Sequence, residues 1–210
     1  MNGDLQLVLI LLPVLLISMS VHEMMHAFTS DWLGDPTARL MGRVSLNPIR
    51  HIDPIFTVAL PVIMLLTGGP LIGAAKPVQV NFGRLKYDEF GGAIVGMIGP
   101  LTNLFLAIIS ALLFKIVNPD FGSVSYNIFK ISIELNVGLF VFNSIPWPPL
   151  DGSRLLYAFA PEALQNIMTS IERIGWASLV FFILVFNSFS TPIFNIMAKL
   201  IHFLAPGLVL

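Results

Sequence analysis

The hydrophobic pattern of the chain consists mainly of long apolar runs. A helix that crosses a membrane needs about 20 consecutive, mostly apolar residues. Three runs are of this kind: Leu5–Phe28, Gly91–Val117 and about Tyr126–Ile145. No basic residue precedes the first run, so we interpret it as a retained helix and not as a cleaved signal peptide. The pattern predicts three transmembrane helices in this part of the chain.

Two further apolar runs follow towards the C-terminal end of the sequence. The segment of about Ile174–Phe189 predicts a fourth helix. Pro192–Leu204 is shorter and carries Lys199 and His202. It fits either a fifth membrane span or a helix at the membrane interface, and the sequence leaves both alternatives open.

The segment Ile52–Thr67 is also apolar, but Pro54 and Pro61 interrupt it. Basic residues flank it on both sides: Arg39, Arg43, Arg50, Lys76, Arg84 and Lys86. A full crossing would place these charges on opposite faces, against the tendency of basic loops to stay in the cytoplasm. We therefore predict a re-entrant or shallow segment, whose irregular backbone is tolerated at membrane depth where protein buries it. The N-terminus then lies outside, residues 29–90 lie on the cytoplasmic side, and the first and third helices both end there.

A short alternating pattern stands out between the long runs. In PVQVNF, residues 77–82, the side chains of Val78, Val80 and Phe82 would share one face, as in a β-strand. We expect a small β-hairpin at the membrane surface within residues 73–84. The predicted fold class is an all-α polytopic membrane protein with about 5–6 membrane segments, one of them re-entrant, and this hairpin.

Composition supports a membrane protein with a single domain. The chain is 56% hydrophobic and only 11% charged, with a mean hydropathy of +0.85, whereas soluble domains carry about 25% charged residues. We expect one membrane-embedded domain over residues 1–210, with a core of about residues 5–155 and accessory helices in 174–204. The net charge of −1 gives no basic surface for nucleic acid. Because the chain has no cysteine, disulfides and thiolate metal sites are excluded.

A cluster of metal-binding residue types lies in the first apolar run. His22 and His26 in HEMMH are four positions apart, so a helix places both imidazoles on one face. Two such imidazoles can bind one zinc ion, and Glu23 between them can take a proton from a water whose pKa zinc lowers to about 7. This is the HExxH arrangement of zinc peptidases. The alternative is that these side chains only bond neighbouring helices, but ionisable groups inside a membrane usually mark function.

A catalytic zinc site needs a third protein ligand and an open position for water. The candidates are Asp151, Asp53 and His51. Asp151 has the better context, because the prolines of NSIPWPPLDG (143–152) stop the third helix and the chain is expected to run extended to a turn at Gly152. The predicted topology brings this turn to the same side as the two histidines. From the residues alone, an ordinary turn aspartate remains an equal alternative.

Several motifs together resemble a known family. HEMMH (22–26), GPLTN (99–103) and FNSIPWPPLDG (142–152) resemble, in this order, the motifs of the site-2 proteases, which are zinc metalloproteases that cut peptide bonds inside or at the edge of the membrane. GRVSLNPIRHIDP (42–54) is similar to the segment after the first motif in small prokaryotic members. The resemblance covers about residues 20–155. The PDZ and CBS domains of larger members are not found in this sequence.

The resemblance implies a role for each matching residue. His22, His26 and Asp151 would bind one Zn²⁺ per chain, and Glu23 would be the general base. Asn143 would position the substrate or donate a hydrogen bond to the developing oxyanion; a helix-packing hydrogen bond is the equal alternative. For Asn103 we expect a structural role beside Pro100, and for Gly92, Gly96 and Gly99 close helix packing.

The resemblance also implies partners and a location. The substrate would be a membrane-anchored protein, cut in or near its transmembrane segment, and the lipid bilayer would surround the enzyme. The location would be the plasma membrane of a prokaryote, as a multi-pass protein with its active site towards the cytoplasm. The oligomeric state is left open.

Two other functions compete with a protease. Intramembrane His and Asp also line ion pathways, so the chain could bind or transport metal without hydrolysis; however, the inverted repeats typical of transporters are not apparent. An inactive relative that only binds membrane proteins is the third alternative. It would have no need to keep HExxH and Asp151 together.

Overall fold

The computed structural model describes residues 3–52, 76–175, 177–178, 181–182 and 190–209. Over these residues the regular structure is helical and contains no β-strand. The α-helices are α1 (Gly3–Trp32), α2 (Thr37–Leu40), α3 (Asp88–Val117), α4 (Val124–Asn143), α5 (Gly152–Phe159), α6 (Glu162–Arg173) and α7 (Ser190–Leu204). Two 3-10 turns, Pro48–Arg50 and Phe82–Arg84, lie in the connections.

Three of these helices are long and apolar enough to cross a membrane. They cover Leu5–Trp32, Asp88–Val117 and Val124–Asn143, with 28, 30 and 20 residues. Large apolar side chains on them point away from the protein, among them Phe105, which is 60% exposed, and Ile116, which is 77% exposed. Such side chains are favourable in lipid. The all-α fold and the three long spans confirm this part of the sequence prediction.

The ends of α3 and α4 follow ordinary helix chemistry. Acidic residues occupy the first turn of α3 and Lys115 its last turn, so both charges complement the helix dipole. Asn118 ends α3 in the left-handed conformation. The hydroxyl of Ser123 then accepts a hydrogen bond from the Tyr126 amide at 3.1 Å and begins α4. A connection of only a few residues makes the two helices antiparallel neighbours.

Helix α3 lies at the centre of the described fold and contacts α1, α4 and α5. The main core is formed by small residues on α3, large residues on α4, and α7 with the residues that follow it. Its buried members are Ala107, Ala111, Tyr126, Ile133, Val137, Val141, Ile201, Ala205 and Leu208. A second cluster joins α1 to α4, where Leu15 and Met19 pack against Leu135 and Leu139. These contacts hold α1, α3, α4 and α7 together.

The connection from α4 to α5 differs from the prediction. The segment after Asn143 was expected to run extended, but it folds as successive turns. The amide of Trp147 bonds the Ile145 carbonyl, and the amide of Leu150 bonds the Trp147 carbonyl, each at 2.8 Å. The prolines have no amide hydrogen to donate, but the donors of these two bonds are non-proline amides, so the turns still form. The helices α5 and α6 that follow were not predicted.

Several predicted elements fall outside the described residues. Of Ile52–Thr67, only Ile52 is described, so the re-entrant segment remains a prediction. Residues 76–81 form no strand, although their exposure alternates from Pro77 to Asn81 as in an extended chain and Asn81 has extended backbone angles. The predicted hairpin also needs residues 73–75, which lie outside the described part of the chain. Most of Ile174–Phe189 is not described either. The helix predicted at Pro192–Leu204 is present as α7 and begins at Ser190.

Candidate metal centre

The two histidines of HEMMH lie on the buried side of α1. They are four residues apart, one helical turn, so their rings lie one above the other with centroids 4.6 Å apart. The side chains are only 9% and 8% exposed. Their Nε2 atoms approach each other to 2.9 Å. The helix therefore presents two imidazole nitrogens at a single point inside the protein.

The turn between α4 and α5 brings Asp151 to the same point. Its Oδ2 lies 3.1 Å from Nε2 of His22 and 3.4 Å from Nε2 of His26. Zinc bonds of 2.0–2.1 Å at tetrahedral angles separate neighbouring ligand atoms by about 3.3 Å. The three observed separations of 2.9, 3.1 and 3.4 Å lie close to that value. Among the described residues, this is a group of three that could hold a metal ion.

The hydrogen bonds on the far side of His26 determine which of its nitrogens is free. Nδ1 of His26 lies 2.6 Å from the carbonyl oxygen of Val95 on α3. A carbonyl oxygen only accepts, so Nδ1 must carry the hydrogen. In the neutral ring, Nε2 then has a free lone pair that points towards Asp151 and His22. This is the orientation that metal-binding histidines need.

A longer chain of hydrogen bonds determines the orientation of His22. The Ser132 carbonyl accepts from Nδ2 of Asn136 at 2.9 Å, so Oδ1 of Asn136 faces Asn103 and accepts from its Nδ2 at 2.9 Å. Oδ1 of Asn103 therefore faces His22 and accepts from Nδ1 at 2.6 Å. The Nε2 lone pair of His22 is left free, as in His26.

Two lone pairs and one carboxylate oxygen thus converge with no hydrogen between the imidazoles. Such an arrangement is repulsive unless a cation lies among the three atoms. The donor set, two neutral imidazoles and an ionised carboxylate, is one that zinc accepts. The residues therefore fit a zinc ion.

Gly99 on α3 leaves the room for this cluster. A Cβ atom at this position would lie less than 3.0 Å from the Nε2 atoms of both His22 and His26. The absence of a side chain lets α3 approach α1 at the level of the ligands. The sequence prediction of close packing at Gly99 is confirmed, and its packing partners are the two histidines of the candidate metal site.

Glu23 lies beside the cluster and outside the ligand set. Its Oε2 accepts a hydrogen bond from the backbone amide of Val78 at 3.1 Å. Val78 belongs to the extended segment 76–81, so this segment lies next to the site. The carboxylate is within electrostatic range of His26 and of the buried Arg43. Its second oxygen can accept a proton.

Curated relatives of the chain carry names that agree with this geometry. A protein of Bacillus subtilis (strain 168) named "Putative zinc metalloprotease YwhC" is 36% identical over 190 residues, which are 87% of this chain and 81% of that protein. The chain belongs to this family of zinc metalloproteases. The same designation is carried by Rip2 of Mycolicibacterium smegmatis, 28% identical over 79% of this chain and 62% of its own length, and by MJ0611 of Methanocaldococcus jannaschii, 39% identical over 45% and 47%. Neither a family model nor a solved structure matches the chain.

Two other candidate residues of this metalloprotease, His51 and Asn143, lie outside the ligand cluster. His51 is 2% exposed, and its Nε2 bonds the Ser45 carbonyl at 2.7 Å. Asp53 falls outside the described residues. Nδ2 of Asn143 donates to the Leu139 carbonyl in the last turn of α4 at 3.0 Å. Its predicted role towards substrate stays a prediction.

Two asparagines of the metalloprotease take part in orienting His22, which the sequence did not predict. Asn103 was expected to be structural, yet its oxygen orients His22 directly. Asn136 was not singled out, although it is 1% exposed and bonds both Asn103 and Ser18. A buried asparagine in the middle of an apolar helix is the signal that could have identified it, because such a group needs partners.

Proposed function

We propose that the protein is an intramembrane zinc metalloprotease that hydrolyses peptide bonds in or near the transmembrane segment of membrane-anchored proteins. The observation that carries this proposal is the convergence of two imidazole lone pairs and the Asp151 carboxylate, with Glu23 beside them. A metalloprotease needs these parts together. Here the two histidines and Glu23 lie within a helix that is long enough to cross a membrane, and Asp151 lies in the turns after another.

In the proposed mechanism, His22, His26 and Asp151 hold one zinc ion per chain. When bound, zinc acts as a Lewis acid that acidifies water and polarises the scissile carbonyl. Glu23 takes a proton from the attacking water and returns it to the leaving amine, so the carboxylate is regenerated after each cycle. Asn103 and Val95 hold the imidazoles in the ligating tautomer throughout.

The substrate must present an extended backbone to this site. A transmembrane helix satisfies its own carbonyl groups, so the scissile segment has to unwind locally before attack. The extended segment 76–81 lies at the site and offers backbone groups that could pair with such a segment by strand addition. Asn143 is proposed to position the substrate or to donate to the oxyanion, after its side chain leaves the Leu139 carbonyl.

The proposed topology keeps the active site towards the cytoplasm of a prokaryotic cell. The N-terminus lies outside, and the basic residues around the site stay inside, in agreement with the positive-inside tendency. Residues 1–210 act as one domain in the bilayer, in which 5–6 membrane segments and a surface hairpin are proposed.

The first prediction concerns the base. Glu23→Gln keeps the shape of the side chain and loses its ability to take a proton, so we expect zinc binding to persist and turnover to fall about 10²–10⁴-fold. The measurement is cleavage of a single-span test substrate in detergent and in liposomes, with the two proteins at matched zinc content. Equal cleavage by both would contradict the role of Glu23.

Metal transport is the competing function, since intramembrane His and Asp also occur in ion pathways. Zinc flux into vesicles separates the two: a transporter moves zinc whether or not Glu23 can take a proton. An inactive binding protein would show neither flux nor cleavage and would still retain membrane-anchored proteins.

A further inference from the structure

The extended segment 76–81 lies beside the candidate metal site, and side chains from other parts of the chain bond both of its ends. Its side chains alternate, with Val78 and Val80 half-buried and Gln79 exposed. Val80 packs against the cluster of Leu33, Leu85 and Val95. Val78 presents its amide to Glu23. The segment thus lies between the protein core and the surface, with a single amide directed at the base.

Arg43 holds the first end of this segment. Its side chain bonds three backbone carbonyls, those of Arg50, Lys76 and Pro77, the last at 2.9 Å. Arg43 is only 4% exposed, and in the described part of the chain no carboxylate forms an ion pair with it. A buried charge needs partners. The rigid guanidinium fork, with its several donors, suits three carbonyl oxygens better than an ammonium group does.

Asp35 holds the second end. It is fully buried, and its Oδ2 accepts from the Asn81 amide at 2.7 Å. Its Oδ1 accepts from the amide of Thr37 at 3.1 Å and from the hydroxyl of the same residue. Val78 therefore lies between two fixed points, Pro77 on Arg43 and Asn81 on Asp35.

We propose that Arg43 and Asp35 are positioning residues for the reaction, which hold the 76–81 segment so that the Val78 amide fixes the Glu23 carboxylate. The proposal rests on the proposed function. An amide donating to a carboxylate is a strong, directional bond. It holds Oε2 of Glu23 in one orientation and leaves Oε1 for the water. Without it, the carboxylate would rotate and its productive orientation would be less populated.

Amide hydrogen exchange tests, independently of enzyme activity, whether Arg43 and Asp35 hold the 76–81 segment in place. Arg43→Gln and Asp35→Asn should speed exchange in peptides that cover residues 76–82. Arg39→Gln is the matched control, because Arg39 lies only four residues before Arg43 but its side chain is 60% exposed and pairs with Asp31. Glu23→Ala should speed exchange at Val78 alone, since it removes only the acceptor. Unchanged exchange rates in both Arg43→Gln and Asp35→Asn would overturn the proposal.

Kinetics test the consequence for the base. Val78→Pro removes the amide hydrogen, and proline suits an extended backbone; we expect kcat to fall about 10–100-fold, as for other outer hydrogen-bond partners, with KM and zinc content unchanged. Val78→Ala keeps the amide and should lower kcat much less. Arg43→Lys should recover part of the activity that Arg43→Gln loses. If Arg43→Gln and Asp35→Asn show faster amide exchange but an unchanged kcat, the two residues do not position the base.

The two proposals fail separately. If the wild-type protein cleaves no substrate at full zinc content, the proposed function fails, and exchange at Val78 in Glu23→Ala still shows whether the amide binds the carboxylate. If Arg43→Gln does not fold, Val78→Pro decides, because it leaves both ends of the segment in place. A Val78→Pro protein with wild-type kcat would contradict the proposal.

Discussion

At the scale of single residues, the metal centre depends on which nitrogen of each imidazole carries the hydrogen. In His26 the backbone carbonyl of Val95 determines this, and that carbonyl stays in place when the side chain of residue 95 is changed. In His22 it depends on two asparagine side chains in sequence. The orientation of His22, unlike that of His26, can therefore be changed by mutating another side chain.

We predict a graded loss of zinc affinity along this hydrogen-bond chain. Asn103→Leu removes the acceptor of the His22 Nδ1–H and should weaken zinc binding about 10–100-fold. Asn136→Leu leaves Asn103 in place but frees its amide, so its effect should be smaller. The measurement is zinc affinity by competition with a chelating dye, with the exposed Asn166 changed to Ala as the control. Equal affinity in all three variants would contradict the assigned tautomer.

Gly99 supports a second prediction at this scale. Gly99→Ala would place a methyl group against both Nε2 atoms, and the two rings cannot move apart without losing the ligand geometry. We expect zinc content after purification to fall as far as in His26→Ala. Gly207→Ala is the control, since no atom lies within 4 Å of a Cβ there. Normal zinc content in Gly99→Ala would show that α3 can shift away.

At the scale of elements, the turn between α4 and α5 decides whether the Asp151 carboxylate reaches the two histidines. Gly152 lies directly after Asp151, and a Cβ atom on it would come less than 3.0 Å from the carbonyl oxygens of Ser144 and Ile145. The turn closes only because this position has no side chain. The close packing of α5 on α3 at Gly96 has the same origin.

The turn gives a prediction of its own. Gly152→Ala should open the turn and withdraw the Asp151 carboxylate, so the variant should bind zinc as weakly as Asp151→Ala. Isothermal titration with zinc compares the two, and Gly207→Ala is again the control. A Gly152→Ala protein with wild-type affinity would mean that the turn has an alternative closed form.

The elements that sequence could predict are those set by local pattern. The spans α1, α3 and α4 begin and end within four residues of their predicted limits, because hydropathy and helix caps are local properties. HEMMH placed His22 and His26 on one face for the same reason. The roles of Arg43 and Asn136 could not be predicted from local pattern, since each depends on hydrogen-bond partners that are distant in the sequence. The turns before α5 were missed because prolines fit turns and extended chain equally well.

At the scale of the whole molecule, the metal would connect parts of the chain that are 129 positions apart, His22 and Asp151. Ligand binding to the folded state alone stabilises it by about 2.7 kcal/mol at a concentration of 100 times Kd. We therefore predict that a chelator lowers the melting temperature of the wild-type protein, and that zinc restores it. His22→Ala should melt at one temperature under both conditions; a zinc-dependent shift in that variant would indicate binding elsewhere.

The separation between the ligands has a consequence for biosynthesis. While the ribosome is still translating the first helices, the nascent chain holds two histidines that can bind a metal only loosely. The carboxylate joins them after two more membrane segments have been inserted and packed. If the protein is the proposed protease, zinc would therefore be captured late, and peptide-bond hydrolysis could not begin before the third long helix has been made and packed.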